Sequence, residues 1–172
     1  MEIIDNFLEE DVFKGIQLHL QRSTLWGFSN HIDYEEEEGD GFQFTHTYVI
    51  AGNHMSDYCR ELFPIMNKIS PVTFSRIKAN LITRTPKIIE NSFHIDLNLI
   101  KDEERLKQWT TGILYINTNN GYTIFEDGSK VESVANRYVS FPSNLKHKGT
   151  SCSDKKIRVV VNFNYFEKGW KD

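Results

Sequence analysis

From Val72 to Phe166 the sequence is a succession of short β-favouring runs cut by turn residues, and this limits the fold more than any other property. Val72 to Thr83 is rich in β-branched residues. Thr110 to Asn117, Tyr122 to Glu126 and Arg137 to Phe141 read as further strands, the last stopped by Pro142, and Ile157 to Phe166 is the final and longest. Asn119-Asn120-Gly121 and Asp127-Gly128 are turns, and Asn-Gly or Asp-Gly between alternating apolar residues is a strong hairpin signal. Turns about every ten residues predict a sandwich or barrel. After Pro86, Ile88 and Ile89 lead into Phe93 to Leu99, read as one more strand, and residues 101 to 108 form a charged connection.

The first part of the chain has a different period. Asn6 is placed to cap a helix with Glu9 three residues on, and Val12, Phe13, Ile16 and Leu20 recur at helical spacing. Residues 23 to 41 are irregular and hold Trp26, and Phe42 to Ile50 alternates as a strand. Met55, Tyr58, Cys59, Leu62, Met66 and Ile69 predict a second helix, kinked near Pro64, whose apolar face covers a sheet. Cys59 falls on that face and reads as a small buried hydrophobe. With 172 residues and no linker or repeat, the chain is read as a single domain, residues 1–172, with a helical and mixed part over about 1–70 and a strand-rich core over about 72–166.

Composition excludes several classes. No apolar run approaches the ~20 residues that span a bilayer, and Met1-Glu2-Ile3-Ile4-Asp5 lacks a secretory start, so an intracellular, cytoplasmic protein without membrane contact is expected. The cysteines Cys59 and Cys152 form neither a disulfide framework nor a Cys-x-x-Cys pair. A net charge of −4 argues against nucleic acid as partner. Glu35 to Glu38 with Asp40 read as a solvated acidic loop. Lys146, Lys148, Lys155 and Lys156 form a basic cluster, either an ordinary surface or an attractor for an anionic substrate.

His94-Ile95-Asp96 carries the chemistry. On a strand, residues two apart face the same side, and a second imidazole from a distant strand, His147, would complete a two-histidine, one-carboxylate set of the kind that holds Fe(II) with open positions. The pattern alone is weak, because His31-Ile32-Asp33 repeats it before an acidic run, where a surface or capping pair is the better reading. His147 gains weight from the next strand. Along Ile157 to Phe166, alternation sets Arg158, Val160, Asn162 and Asn164 against Ile157, Val159, Val161, Phe163 and Tyr165. If the apolar set packs on the helices, Arg158 points into the barrel, where a guanidinium needs an anion. A dicarboxylate would supply one through paired hydrogen bonds; an edge salt bridge is the alternative.

His94-Ile95-Asp96, His147 and Arg158 in this order resemble the Fe(II) and 2-oxoglutarate-dependent oxygenases, in particular the prolyl 4-hydroxylase-like branch. The likeness runs from Val72 to Phe166, and Ile3-Ile4-Asp5-Asn6-Phe7-Leu8 is similar to openings of that branch. Phe141-Pro142-Ser143-Asn144 and Asn162-Phe163-Asn164-Tyr165-Phe166 are similar to phage-encoded marine members, which would put the protein in the cytoplasm of a host cell. The resemblance implies an α+β, mainly β fold: a double-stranded β-helix (jelly-roll) core flanked by N-terminal helices. It implies Fe(II) on His94, Asp96 and His147, with 2-oxoglutarate as cosubstrate, O2, and ascorbate as an accessory reductant. It also implies that Arg158, partnered by Tyr115 from Thr111-Gly112-Ile113-Leu114-Tyr115-Ile116-Asn117, binds the distal carboxylate of the cosubstrate. Asn120-Gly121-Tyr122-Thr123-Ile124-Phe125 resembles the Gly-Gly-x-Thr-x-Phe turn and strand, with Asn in place of the first Gly. Where many members carry a cosubstrate-facing tyrosine, this chain reads Lys78-Ala79-Asn80-Leu81, with Leu81 as the match, so that contact is missing or supplied by Asn80. Asn162 is a further candidate for the cosubstrate.

The implied reaction hydroxylates a C–H bond, as on a peptidyl side chain such as proline or on a small molecule, with release of succinate and CO2. Neutral imidazoles are needed to hold the metal, so activity is expected to fall below about pH 6.5. Two other classes stay open: a cupin-like module that binds metal or a small acid without turnover, and a metal-free jelly roll serving as an interaction protein. A Cys152 and His147 nucleophilic pair has no evident orienting acid.

Overall fold

In the computed structural model, which describes residues 1–22, 24–32 and 41–167, the chain enters as strand β1 (Glu2–Ile4) and turns into helix α1 (Glu10–Arg22). Helical spacing puts Phe13, Ile16 and Leu20 on its buried face, whereas Val12 points outward at 39 % exposure. The expected start at Asn6 is corrected: Asn6 takes a left-handed φ of 50° and the helix begins at Glu10. Tertiary contacts overrule the local cap signal. Asn136 accepts from Leu8 N–H at 2.9 Å and donates to Leu8 C=O at 2.8 Å, while the Phe7 ring stacks on Tyr138 at 4.4 Å.

Strands β2 (Gly27–Ser29), β3 (Gln43–Ile50) and β4 (Asn53–His54) follow, with β2 inside the stretch read as irregular. The second helical region is a 3-10 turn, Asp57–Leu62, running into α2 (Phe63–Ile69), and Pro64 sits in the first turn of α2, where its missing N–H costs nothing. Then come β5 (Thr73–Thr83), α3 (Glu103–Leu106), β6 (Trp109–Tyr115), β7 (Tyr122–Phe125), β8 (Lys130–Glu132), β9 (Tyr138–Pro142), β10 (His147–Gly149) and β11 (Ile157–Phe166). Asp33, Glu35 to Glu38 and Asp40 lie outside the described residues. No helix among the described residues is long and apolar enough to cross a membrane.

The strands form two antiparallel sheets, one ordered β1-β9-β6-β11-β5-β3-β2 with β4 beside β3, the other β10-β7-β8. This is a mainly β jelly roll with helices on the outer face of its larger sheet. Strand β11 lies at the centre of that sheet and separates two cores. Val159, Val161, Phe163 and Tyr165 pack with Phe13, Leu20, Leu62 and Ile65 on the helical side, and Val160 packs with Ile113, Tyr115, Phe125 and Phe141 inside the roll. Each such side chain contributes roughly 1.5–3 kcal/mol through burial.

Two further sequence expectations change. Residues 93 to 99 are not a strand: Glu90 and His94 make only isolated bridges, to Thr150 and His147, and Asp96 lies in the turn that follows. The segment takes the place of a fourth strand beside β10 without completing its ladder. The Asn119-Asn120-Gly121 turn does not close a hairpin either. It carries the chain from one sheet to the other, because β6 pairs with β9 and β11 while β7 pairs with β8 and β10. Asn120 is instead tied to Asp154 and Ser153 by bonds of 2.9 Å. Asp127-Gly128 does turn β7 into β8, with Gly128 at φ +82°.

Burial pushes the phenols of Tyr48 and Tyr165 up to about 12. Both lie above the unfolded value near ~10, so their contribution to stability is complete below about pH 10 and is lost between about 10 and 12, at roughly 1.4 kcal/mol per pH unit for each phenol. Urea unfolding at stepped pH, with tyrosinate absorbance followed in parallel, is expected to show this decline with both phenols still neutral in the folded protein at pH 10.

Candidate metal centre

Backbone pairing brings the first two predicted ligands together. His94 N–H donates to His147 C=O at 3.0 Å and His147 N–H donates to His94 C=O at 3.1 Å, so the two residues sit directly opposite, with ring centroids 4.8 Å apart. Each Nδ1 faces a backbone carbonyl, Ser92 at 3.1 Å and Leu145 at 3.3 Å. Donation there puts the proton on Nδ1, the tautomer whose Nε2 can ligate a metal. Asp96 completes the cluster with Oδ1 3.5 Å from His94 Nε2, and the ligating atoms of all three lie within 4.8 Å of one another. The structure thus brings His94, Asp96 and His147 to one point, although Asp96 arrives from a turn and not a strand.

The electrostatics suit a cation. Burial alone would raise the Asp96 carboxyl, but the Arg76 guanidinium, with His94 and His147, outweighs it and holds the group well below its ordinary range. Burial also lowers the pKa of His147, against the pull of Asp96. Its ring packs against Phe141 at 4.9 Å. Two neutral imidazoles and a carboxylate are the donors that a divalent transition metal takes.

The same cavity, which encloses about 100 Å³, is lined by Arg158, Thr123, Asn80 and Asn162. Arg158 points inward as the alternation predicts and is 3 % exposed. Its Nε donates to Ser133 Oγ at 2.8 Å and its Nη2 to Thr123 Oγ1 at 3.4 Å, and among the described residues no carboxylate pairs with it. Burial pulls its pKa below the usual guanidinium value. Tyr115 is fully buried, with the Arg158 guanidinium 5.7 Å from its ring centre, and does not line the cavity. Its hydroxyl donates to Thr123 Oγ1 at 2.8 Å, so Thr123 stands between Tyr115 and the cavity. Burial raises the Tyr115 phenol and keeps it a donor. Gly121 makes room for this arrangement, because a Cβ there would lie 2.8 Å from Arg158 Cδ and 2.7 Å from Ser151 C=O.

Asn80 and Asn162 lie on the cavity wall, each with a buried Oδ1 that has no hydrogen-bond partner among the described residues. Leu81, matched to the family's tyrosine position, is corrected: it does not face the cavity. Alternation along β5 turns Arg76, Lys78, Asn80 and Ile82 to the cavity and packs Leu81 on the helical side. Sequence reasoning missed Arg76, Thr123, Ser133 and Asn164 as site residues. The parity of β5, β7 and β11 was the signal for Arg76, Thr123 and Asn164; Ser133 had none.

The rival and minor readings find no support in geometry. His31 Nδ1 meets Asn30 Oδ1 at 2.8 Å, and Asp33 lies outside the described residues. Cys152 is buried, donates to Lys155 C=O at 3.4 Å, and has its thiol pKa raised by burial, the reverse of an activated nucleophile. Lys148 pairs with Glu90 at 2.8 Å and Lys146 with Glu126 at 3.5 Å, which offsets much of the basic cluster.

No protein-family model and no curated protein sequence matches the chain. Solved structures do match its fold. A prolyl hydroxylase from Trichoplax adhaerens, in complex with a hypoxia inducible factor oxygen degradation domain peptide fragment, is similar over 97 % of this chain and 83 % of that one, with TM-score 0.68 and 14 % identity. A prolyl-4-hydroxylase from Pseudomonas putida is similar over 97 % and 92 %, with TM-score 0.63 and 14 % identity. A non-heme alpha ketoglutarate dependent epimerase from nogalamycin biosynthesis is similar over 96 % and 76 %, with TM-score 0.63 and 11 % identity. The chain therefore has the fold shared by prolyl hydroxylases and other 2-oxoglutarate and Fe(II) oxygenases.

Proposed function

We propose that the protein is an Fe(II)- and 2-oxoglutarate-dependent dioxygenase that hydroxylates a C–H bond, with a peptidyl side chain such as proline as the target. One observation carries the reading: a two-histidine, one-carboxylate cluster and a buried arginine that has no carboxylate partner among the described residues line the same cavity. The cluster alone suits many metals and tasks. The arginine adds a demand for an anion, and a dicarboxylate able to reach both meets both requirements.

When bound, the iron and cosubstrate would supply the oxidising chemistry, in which O2 gives one oxygen atom to succinate, as 2-oxoglutarate loses CO2, and the other to the hydroxylated target C–H. His94, Asp96 and His147 would hold the metal. Arg158 receives the distal carboxylate, with Thr123 as second donor. Tyr115 supports Thr123 from behind by filling one of its oxygen lone pairs, which turns the Thr123 proton toward the cavity. Asn80 and Asn162, on the cavity wall, would offer their amides to the bound acid. Phe125, Phe141 and Val160 form the apolar packing behind the site and keep water out. The fold also hosts an epimerase, so the outcome of oxidation rests on how the target is presented.

Purified protein given Fe(II), O2 and 2-oxoglutarate, with and without proline-containing peptides, is expected to release succinate in an iron-dependent manner, faster when a target peptide is present. Binding of metal and 2-oxoglutarate with no succinate under any condition would establish the cupin-like binding module instead.

A further inference from the structure

Asp96 sits in a turn, so no strand ladder fixes its side chain; two residues on neighbouring strands do so. Arg76 on β5 and Asn164 on β11 are directly opposed in register, next to the irregularity between Asn164 and Tyr165. Arg76 Nη2 lies 3.2 Å from Asp96 Oδ1, Arg76 Nε donates to Asn164 Oδ1 at 3.1 Å, and Asn164 Nδ2 donates to Asp96 Oδ2 at 3.0 Å. The three side chains close a ring. Asn164 is fully buried, and its Nδ2 also donates to Thr111 Oγ1 at 3.1 Å, which in turn meets Ser143 Oγ at 2.9 Å. The amide cannot be turned over, because arginine only donates and an ionised carboxylate only accepts.

Resting on the metal-site reading above, we propose that Arg76 and Asn164 are positioning residues that clamp Asp96 so that one carboxylate oxygen, Oδ1, serves the metal. Asn164 occupies Oδ2, and Oδ1, which Arg76 Nη2 approaches from one side, is the oxygen turned toward His94. The clamp replaces the backbone support that a strand would have given. Arg76 uses two edges of its fork at once, which a lysine cannot do.

The test is Mn(II) affinity by titration calorimetry of the wild type, Asn164→Leu and Arg76→Lys, with folding checked by thermal melts and the absorption spectrum of Co(II) recorded in each. Leucine removes the amide at similar volume, and lysine keeps the charge. Loss of a residue that supports a ligand costs about 10- to 100-fold in metal affinity, so a loss of that size is expected in both variants. A changed Co(II) spectrum in Asn164→Leu is expected as Asp96 gains freedom to turn. Because both act through Asp96, the double variant is expected to lose little more than the weaker-binding single one. Wild-type affinity and an unchanged Co(II) spectrum in both folded variants would overturn the clamp while leaving the metal site standing. A wild type that binds no Mn(II) would overturn the metal site as well.

Discussion

Asp96→Ala is expected to fold and to lose metal-dependent turnover altogether. The carboxylate is the one acidic group in the ligating cluster, and its loss leaves two neutral imidazoles to hold a doubly charged ion. Metal affinity should fall by more than the roughly 10- to 100-fold that follows loss of a supporting residue. The fold should tolerate the change, because the Arg76 side chain left without its partner is 30 % exposed and can rehydrate. The checks are iron-dependent succinate release and Mn(II) titration, beside a thermal melt. Full turnover in this variant would place the metal elsewhere.

Arg158→Met is expected to act in opposite directions on binding and on stability. Arg158 is buried and among the described residues finds only hydroxyl partners, Ser133 and Thr123, so within them its charge is held out of water without a counter-charge. Replacing buried charge by an apolar side chain of similar size is often neutral or stabilising by about 1–4 kcal/mol. For a domain of this size a gain of 1 kcal/mol raises Tm by about 2–4 °C. The variant should therefore melt no lower than the wild type in the absence of ligand, yet bind 2-oxoglutarate far more weakly with metal affinity unchanged. The protein then retains a destabilising arginine because a ligand needs it. A marked drop in Tm together with undiminished 2-oxoglutarate binding would make Arg158 a structural residue. Calorimetry with Mn(II) in place of iron separates the two outcomes without turnover.

How far the sequence was legible follows from where its signals are local. The two-residue period of Ile157–Phe166 assigned both faces of the central strand, because side-chain direction along a strand is fixed by the backbone. The same parity, applied to β5, excludes Leu81 and admits Arg76 and Asn80, but choosing which residue matched a family tyrosine by likeness overrode the parity. Other misses come from contacts distant in sequence. Asn6 carries a valid cap signal, and Asn136, far along the chain, captures the backbone of Phe7 and Leu8 instead. Asn120-Gly121 has hairpin chemistry, but the bonds that hold Asn120 come from Ser153 and Asp154. At Phe93 to Leu99 the composition favoured a strand, while the site requires a turn at Asp96, so that the carboxylate can reach Arg76 and Asn164. Local rules fail there because the contacts of Asp96 with Arg76 and Asn164 come from strands distant in sequence.

The most direct test of the iron and 2-oxoglutarate reading is an anaerobic titration of the wild-type protein with Fe(II) and then 2-oxoglutarate, followed by visible absorption. A metal-to-ligand charge-transfer band is expected only when both are present, because it requires the 2-oxo acid to sit on the iron. Tight binding of Fe(II) with no such band at saturating 2-oxoglutarate, or no binding of Fe(II) at all, would contradict it.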